Sequence, residues 1–197
     1  MKKALFFGLL LLLVVGGILA YNVRQGSGQA APEAYSSKPA PWQPARLQIP
    51  RLQIDAPVLG VGATASGKMD APTSQAINSP YWTSVFWYTL GVSPGQQGNA
   101  VIAGHVDKTG GDPAIFWNLK VLQPGDELQV QLGDASIVRF VVERLESYPA
   151  ETTDAEVMKQ VFGPTTERRL NLITCSGAWT EHGYDQRLVA FTRLASA

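Results

Sequence analysis

The sequence predicts a mainly β protein, a closed or nearly closed β-barrel with a few short helices. Apolar or alternating segments of strand length recur along the chain, and Gly and Pro residues separate them. From residue 45 onward, only two segments have a helical pattern. The predicted strands are residues 46–49, 56–61, 99–104, 127–132, 136–145, 169–174 and 187–194.

Each predicted strand has its own sequence pattern. Residues 46–49 alternate between polar and apolar, residues 56–61 are a short apolar run, and Pro50, Pro57 and Gly60 mark the boundaries. Residues 99–104 are continuously apolar, which is typical of a strand that is buried on both faces. Residues 127–132 alternate after a Pro-Gly turn, and residues 136–145 are rich in β-branched side chains. Such frequent short strands, separated by Gly and Pro turns, favour the β-barrel with minor helices.

The last two strands and both helices complete the prediction. Residues 169–174 form a mainly apolar run, and residues 187–194 complete the set of strands. A short helix is predicted near residues 114–121. A second helix is predicted over residues 154–162, because Asp154 can cap its first turn and a Gly-Pro pair follows its end.

The chain is predicted to have three parts. Two lysines precede an apolar run over residues 4–21, which at about 1.5 Å per residue is just long enough to cross a bilayer. Residues 1–21 are therefore expected to be a membrane anchor with the following domain outside, although a cleaved signal peptide has similar features. Residues 22–44 are rich in small polar residues and proline and predict a flexible linker. Residues 45–197 are expected to form one domain with its own core.

Composition excludes several functions. The 16 basic and 16 acidic side chains give a net charge of zero, and no basic run indicates nucleic acid as a partner. One cysteine cannot form an internal disulfide. Asp107, Asp112 and Glu181 are scattered acidic residues without a dense carboxylate pattern, so no metal site is predicted. No cofactor is expected.

The single cysteine, Cys175, closes an apolar run before a glycine turn. A thiolate is the reactive form, and a free thiol is mostly protonated at neutral pH, so a reactive cysteine needs a partner. His105 follows the apolar run 99–104. If that run and residues 169–174 are adjacent parallel strands, His105 and Cys175 leave the sheet at the same rim. His182 lies in a polar loop and is interpreted as a loop residue.

Arg187 supplies a third group at the same rim. It begins the last predicted strand after a loop, and an antiparallel return would bring it beside Cys175. A guanidinium is always charged and offers several donors, which suits a developing oxyanion. A thiol, an imidazole and a guanidinium together predict acyl transfer. Each residue also has an ordinary interpretation, as an inert buried thiol, a structural histidine and a rim cation.

Three segments resemble the signature segments of sortases, the cysteine transpeptidases of bacterial surfaces. They are Asn99-Ala-Val-Ile-Ala-Gly-His105, Leu172-Ile-Thr-Cys175 and Gln186-Arg-Leu-Val189. Asn171 stands where the family usually has threonine, a difference expected to affect strand packing more than chemistry. Further phrases are similar to the class F subgroup: Ile49-Pro50, Gly67-Lys-Met69, Phe116-Trp-Asn-Leu119, Gln123-Pro-Gly-Asp126 and Ser147-Tyr-Pro149.

The resemblance implies an eight-stranded barrel and a two-step reaction. Cys175 would cut a Leu-Pro-x-Thr-Gly-like sorting signal after threonine and form a thioester, which an amine of peptidoglycan or a pilin would resolve. His105 would transfer protons, Arg187 would bind the oxyanion, and Thr174 would contact the substrate. Thiolate and imidazolium would be a minor protonation state. The catalytic domain would face the cell exterior from a single-pass membrane anchor.

Another envelope cysteine enzyme is the alternative, either an L,D-transpeptidase or a cell-wall cysteine peptidase. The chain order His105 before Cys175 argues against papain-like peptidases, and no histidine stands almost next to the cysteine as in L,D-transpeptidases. A binding module with a degenerate site would have lost one of the three residues. Four aromatic residues are interpreted as core or cover packing, with a peptide groove as the other possibility: Trp82, Trp87, Tyr88 and Trp179.

Overall fold

Eight β-strands close into a barrel in the order β1-β2-β3-β4-β7-β8-β6-β5. The computed structural model describes residues 38–196. The strands are β1 (Pro44–Ile49), β2 (Ile54–Val61), β3 (Val85–Tyr88), β4 (Gly98–Ala103), β5 (Glu127–Leu132), β6 (Ile137–Pro149), β7 (Arg168–Thr180) and β8 (Gly183–Leu194). One α-helix, α1 (Ala155–Phe162), joins β6 to β7. The eight-stranded, mainly β architecture expected from the sequence is confirmed.

The predicted anchor, residues 1–21, and most of the predicted linker lie outside the described residues. Across residues 38–196, no helix is long and apolar enough to cross a membrane. The last linker residues form a turn that packs against the barrel, where Trp42 meets Trp87 edge-on. The carbonyl of Trp42 also accepts a hydrogen bond from the Ser93 hydroxyl.

The structure corrects the sequence prediction in three places. Strand β3 was not predicted, because its four residues are too short to show a period and its Trp87 and Tyr88 were interpreted as packing or as the lining of a peptide groove. The helix predicted over residues 114–121 is wrong in extent, since only the 3-10 turn Leu119–Val121 is helical. The loop predicted between Cys175 and Arg187 is wrong, since β7 and β8 form a long hairpin.

A β-bulge explains why the hairpin was not recognised from the sequence. The pairing of β7 with β8 shifts between Ser176 and Trp179, so the alternation of side chains is interrupted. Gly177 lies in this bulge with a φ of 82°, a conformation that favours glycine. A β-carbon there would collide with the Asp185 carboxylate, which accepts a hydrogen bond from the Ala178 amide at 2.8 Å. The glycine therefore permits the bulge that follows Cys175.

The barrel interior is filled by apolar side chains from all eight strands. Trp87 is 2% exposed and Trp82 is 3% exposed, which confirms the core interpretation of these two tryptophans. Trp179 is 72% exposed on the β7–β8 hairpin and is not part of the core. The largest fully buried side chains are Trp87, Phe86, Phe116, Phe140, Phe191, Leu47, Ile49, Ile102, Leu119, Leu128, Leu170 and Leu172.

Helix α1 begins as its sequence predicted. The Asp154 carboxylate accepts hydrogen bonds from the amides of Glu156 at 2.8 Å and Val157 at 3.3 Å, which are donors that the first helical turn leaves unpaired. Val161 packs with Val189 and Phe191 of β8. This packing holds α1 against the strand that carries Arg187.

Asn171 anchors the end of α1 from inside the sheet. It is fully buried, and its amide nitrogen donates to the Val161 carbonyl at 2.8 Å and to Asn99 Oδ1 at 3.2 Å. The side chain thus joins β7 to β4 and to the last turn of α1. This contact agrees with the expectation that the departure from threonine affects packing more than chemistry.

We expect Asn171→Ala to lower the free energy of unfolding by about 2 kcal/mol, because it leaves buried carbonyl groups without a donor and opens a small cavity. Urea denaturation of this variant measures the change. Asn78→Ala, at an exposed loop position, is the matched control and should change stability by less than about 0.5 kcal/mol. Equal stability of the two variants would contradict the anchoring role of Asn171.

Candidate active site

Three neighbouring strands bring Cys175, His105 and Arg187 to one rim of the barrel. Strand β4 runs parallel to β7, with Ala103 opposite Ile173. The Gly104 amide continues the pairing by donating to the Ile173 carbonyl at 3.0 Å. His105 therefore follows β4 alongside the end of the apolar part of β7. The conditional prediction that these two strands are parallel and adjacent is confirmed.

Arg187 is the direct cross-strand neighbour of Cys175. Strands β7 and β8 are antiparallel, and Cys175 pairs in register with Arg187. Side chains that are directly opposite in an antiparallel pair point to the same face of the sheet. The register therefore places the thiol and the guanidinium on one face, as the antiparallel return predicted.

Gly104 allows β4 to approach a buried aromatic ring just before His105. A β-carbon at this position would lie 2.5 Å from Phe116 Cδ2, closer than nonbonded carbon atoms tolerate. The Phe116 amide in turn donates to the His105 carbonyl at 2.9 Å. Both contacts fix the backbone that carries the imidazole.

The imidazole of His105 is held on three sides. Its Nε2 lies 2.9 Å from the Pro72 carbonyl oxygen, which can only accept, so Nε2 carries a proton and donates it. The ring meets Trp82 and Phe86 edge-on, with centroids 5.0 and 5.4 Å away. In the neutral ring Nδ1 is then the basic nitrogen. The contacts leave His105 oriented and half-buried.

Arg187 is oriented by the backbone and not by an acidic side chain. Its Nη1 donates to the Tyr184 carbonyl at 3.0 Å and to the Gln186 carbonyl at 2.9 Å. None of the ion pairs among residues 38–196 includes Arg187. The remaining guanidinium donors are therefore not committed to a carboxylate.

Burial raises the pKa of the Cys175 thiol above its ordinary value, because the thiolate is poorly solvated in the half-buried site. The Arg187 guanidinium acts in the opposite direction, and the Asp107 carboxylate adds to the rise in pKa. Most molecules therefore carry a neutral thiol at neutral pH. The reactive thiolate is a minority species.

We expect the alkylation rate of Cys175 by iodoacetamide to rise with pH to a midpoint above about 8.5, the pKa of an unperturbed thiol. Since the chain has one cysteine, the total alkylation rate reports this thiol alone. Arg187→Gln should move the midpoint higher, because it removes the charge that favours the thiolate. A midpoint at or below that of a free thiol would contradict the raised pKa.

Thr174 and His182, the other residues considered from the sequence, lie at different positions relative to Cys175. Thr174 is 4% exposed, and its hydroxyl donates to the Gly104 carbonyl at 2.8 Å, so it ties β7 to the end of β4. Its contact with substrate stays a prediction. His182 lies at the exposed tip of the β7–β8 hairpin, beside Glu181, and apart from the pair formed by Cys175 and Arg187.

Among residues 38–196, no three His, Cys, Asp or Glu side chains are grouped as metal ligands would be.

The site contains two residues that the sequence did not single out as functional. The Tyr184 hydroxyl donates to Asp107 Oδ2 at 2.7 Å, and this hydrogen bond raises the pKa of Tyr184 to about 12. Asp107 comes two residues after His105, and Tyr184 comes three residues before Arg187. This closeness to two candidate residues was the available signal. Their pairing depends on how the two segments meet in space.

A barrel with a thiol paired across strands to a guanidinium, and a histidine just after the neighbouring strand, is an arrangement suited to cysteine-dependent acyl transfer. The sortase domain family matches residues 47–195, so the chain belongs to the sortase family and is a cysteine transpeptidase. A comparison with curated protein sequences found no match.

Solved sortase structures share this fold. The chain is similar to the Clostridium perfringens sortase D5 transpeptidase (17% identity, TM-score 0.55, covering 78% of this chain and 79% of that one). It is similar to Streptococcus agalactiae sortase C1 in complex with MTSET (15% identity, TM-score 0.58, covering 81% of this chain and 73% of that one). It is also similar to sortase A from Corynebacterium diphtheriae (16% identity, TM-score 0.57, covering 79% of this chain and 61% of that one). At these identities, the likeness shows the fold alone.

Proposed function

We propose that this sortase cleaves a Leu-Pro-x-Thr-Gly-like sorting signal between Thr and Gly and transfers the threonyl acyl group to an amine of the cell wall or a pilin. Cys175 is the nucleophile, His105 the proton carrier and Arg187 the oxyanion donor. The observation that supports this most is the register pairing of Cys175 with Arg187, with His105 two residues after the end of the neighbouring strand β4.

In the first half-reaction, the Cys175 thiolate attacks the threonine carbonyl carbon. The carbonyl oxygen becomes an oxyanion, and the free donors of Arg187 are suited to stabilise it. The C–N bond to glycine breaks while the His105 imidazolium gives its proton to the departing nitrogen. The products are a thioester on Cys175, a neutral imidazole and a free amine.

In the second half-reaction, a neutral amine attacks the thioester carbonyl. His105 accepts the proton that the attacking nitrogen loses, the new amide C–N bond forms and the C–S bond breaks. The thiolate and imidazolium are thereby regenerated. Because burial raises the pKa of the Cys175 thiol, the reactive ion pair is rare and turnover is expected to be slow.

The sorting-signal reaction is favoured over the other envelope cysteine enzymes by membership of the sortase family. We assign the chain to the class F subgroup as a finer hypothesis, which is supported by phrases such as Phe116-Trp-Asn-Leu119 and Ser147-Tyr-Pro149. We also propose that residues 1–21 anchor the protein in the cell membrane and hold the catalytic domain outside, close to wall and pilin substrates. Thr174, next to the nucleophile, is proposed to contact the substrate.

The test is a peptide panel. The full-length protein is incubated with peptides that vary at the third position of Leu-Pro-x-Thr-Gly, together with triglycine, and the products are identified by mass spectrometry. We expect cleavage after threonine and a ligated product. Cleavage at another bond, or no reaction with any peptide, would contradict the proposed substrate class.

A further inference from the structure

Two half-buried side chains of opposite charge flank the Cys175 thiol without pairing with each other. Arg187 lies opposite Cys175 across the hairpin, and Asp107 is joined to the same hairpin by the hydrogen bond from the Tyr184 hydroxyl, three residues before Arg187. Both charges act on the pKa of the Cys175 thiol, in opposite directions. Neither residue takes part in an ion pair within residues 38–196. Unpaired charges in a partly buried site cost solvation energy, so their separation needs a structural and functional reason.

Tyr184 keeps the two charges apart. Its backbone carbonyl accepts from Arg187 Nη1 at 3.0 Å, while its hydroxyl donates to Asp107 Oδ2 at 2.7 Å. Each charged group is therefore oriented by a neutral group of one residue and not by the other charge. Trp179 supports this arrangement by meeting the Tyr184 ring edge-on, with centroids 5.2 Å apart.

We propose that Asp107, oriented by Tyr184, binds the incoming amine in its ammonium form and is a specificity-determining residue for the acceptor. This inference rests on the proposed function. A transpeptidase of this kind meets two charges of opposite sign, the oxyanion of the intermediate and the ammonium of the acceptor. Arg187 suits the oxyanion. Asp107, two residues after His105, is a carboxylate on the same rim that suits the ammonium.

The chemistry of the acceptor explains why a carboxylate is useful. An α-amino group has a pKa of about 8, so most acceptor molecules are ammonium ions at neutral pH. A carboxylate concentrates them beside the thioester through charge-assisted hydrogen bonds. The ammonium then releases one proton to solvent, and the neutral amine gives its second proton to His105 as the C–N bond forms. One Asp107 oxygen is used by Tyr184, which leaves the other for the amine.

The experiment compares a charged acceptor with an uncharged one. The full-length protein is given the cleavable peptide with either triglycine, which is mostly ammonium at pH 7, or hydroxylamine, which is mostly neutral there. The measured quantity is the ratio of kcat/KM for triglycine to kcat/KM for hydroxylamine. Changes in acylation or in the thiol pKa affect both acceptors equally and cancel in this ratio.

We expect Asp107→Asn to lower this ratio about tenfold, through a higher KM for triglycine. Tyr184→Phe keeps the carboxylate but loses its orienting hydrogen bond, and should lower the ratio by a smaller factor. Asp112→Asn is the matched control, because it removes the same charge from an exposed position in the same loop. Its ratio should equal that of the wild type.

The outcomes separate the two proposals. A hydroxamate product with an unchanged ratio in Asp107→Asn would overturn the acceptor role and leave the proposed function standing. An equal fall in Asp107→Asn and Asp112→Asn would also overturn it, because a general loss of negative charge would then explain the effect. If neither acceptor gives a product with any peptide, the proposed function and this inference both fail.

Discussion

Cys175→Ala is expected to abolish both cleavage and ligation, a loss on the order of 10⁴-fold or more, because no other side chain in the chain can form a thioester. The substitution removes one sulfur atom from a half-buried position and should leave the fold intact. Peptide turnover measured by chromatography, together with circular dichroism, tests both statements.

Ser176→Ala is the matched control for this prediction. It changes the next residue of β7, and it removes a buried hydroxyl that has no hydrogen-bond partner among the described residues. We expect this variant to keep its activity. Measurable turnover in Cys175→Ala, with a confirmed intact mass, would show that the thiol is not the nucleophile.

Arg187→Lys is expected to lower kcat/KM by about 100-fold or more, the usual effect of removing one oxyanion donor. The guanidinium is fixed by two carbonyls, from Tyr184 and Gln186, and still has free donors to offer. An ammonium has no rigid fork and cannot keep both contacts while it reaches the oxyanion. The variant should remain folded, because the positive charge and the aliphatic stem are retained.

The pH midpoint of Cys175 alkylation distinguishes the effect of the positive charge at position 187 from the effect of the guanidinium geometry. Lysine keeps the positive charge, so the pKa of the Cys175 thiol should stay near the wild-type value while turnover falls. Arg193→Lys, at an exposed position on the same strand, is the control and should be fully active. Wild-type activity in Arg187→Lys would contradict the oxyanion role of the guanidinium.

The strands around the site could be predicted from local sequence patterns, whereas their adjacency entered only as a condition that the structure meets. The apolar runs before His105 and Cys175 indicated buried strands, and a parallel arrangement of those strands was enough to bring both residues to one rim. The position of Arg187 followed from an antiparallel return. Helix α1 was predictable because Asp154 caps it within the same segment.

The remaining features depend on tertiary contacts. The hydrogen bond between Asp107 and Tyr184 joins segments that are far apart in the chain, so no local pattern could predict it. The contact between His105 and Pro72 likewise depends on how the segment between β2 and β3 folds over the rim. The β7–β8 hairpin was missed because the bulge at Gly177 breaks its alternation, and β3 was too short to show a period.

The central claim is that Cys175 forms a thioester with the threonyl part of a sorting signal beside His105 and Arg187. The direct measurement is mass spectrometry of the full-length protein, quenched in acid soon after mixing with a cleavable Leu-Pro-x-Thr-Gly peptide. We predict a mass increase equal to the acyl fragment, located on the peptide that contains Cys175 and removed by hydroxylamine. Cleavage of the peptide without any adduct on Cys175 would contradict the account.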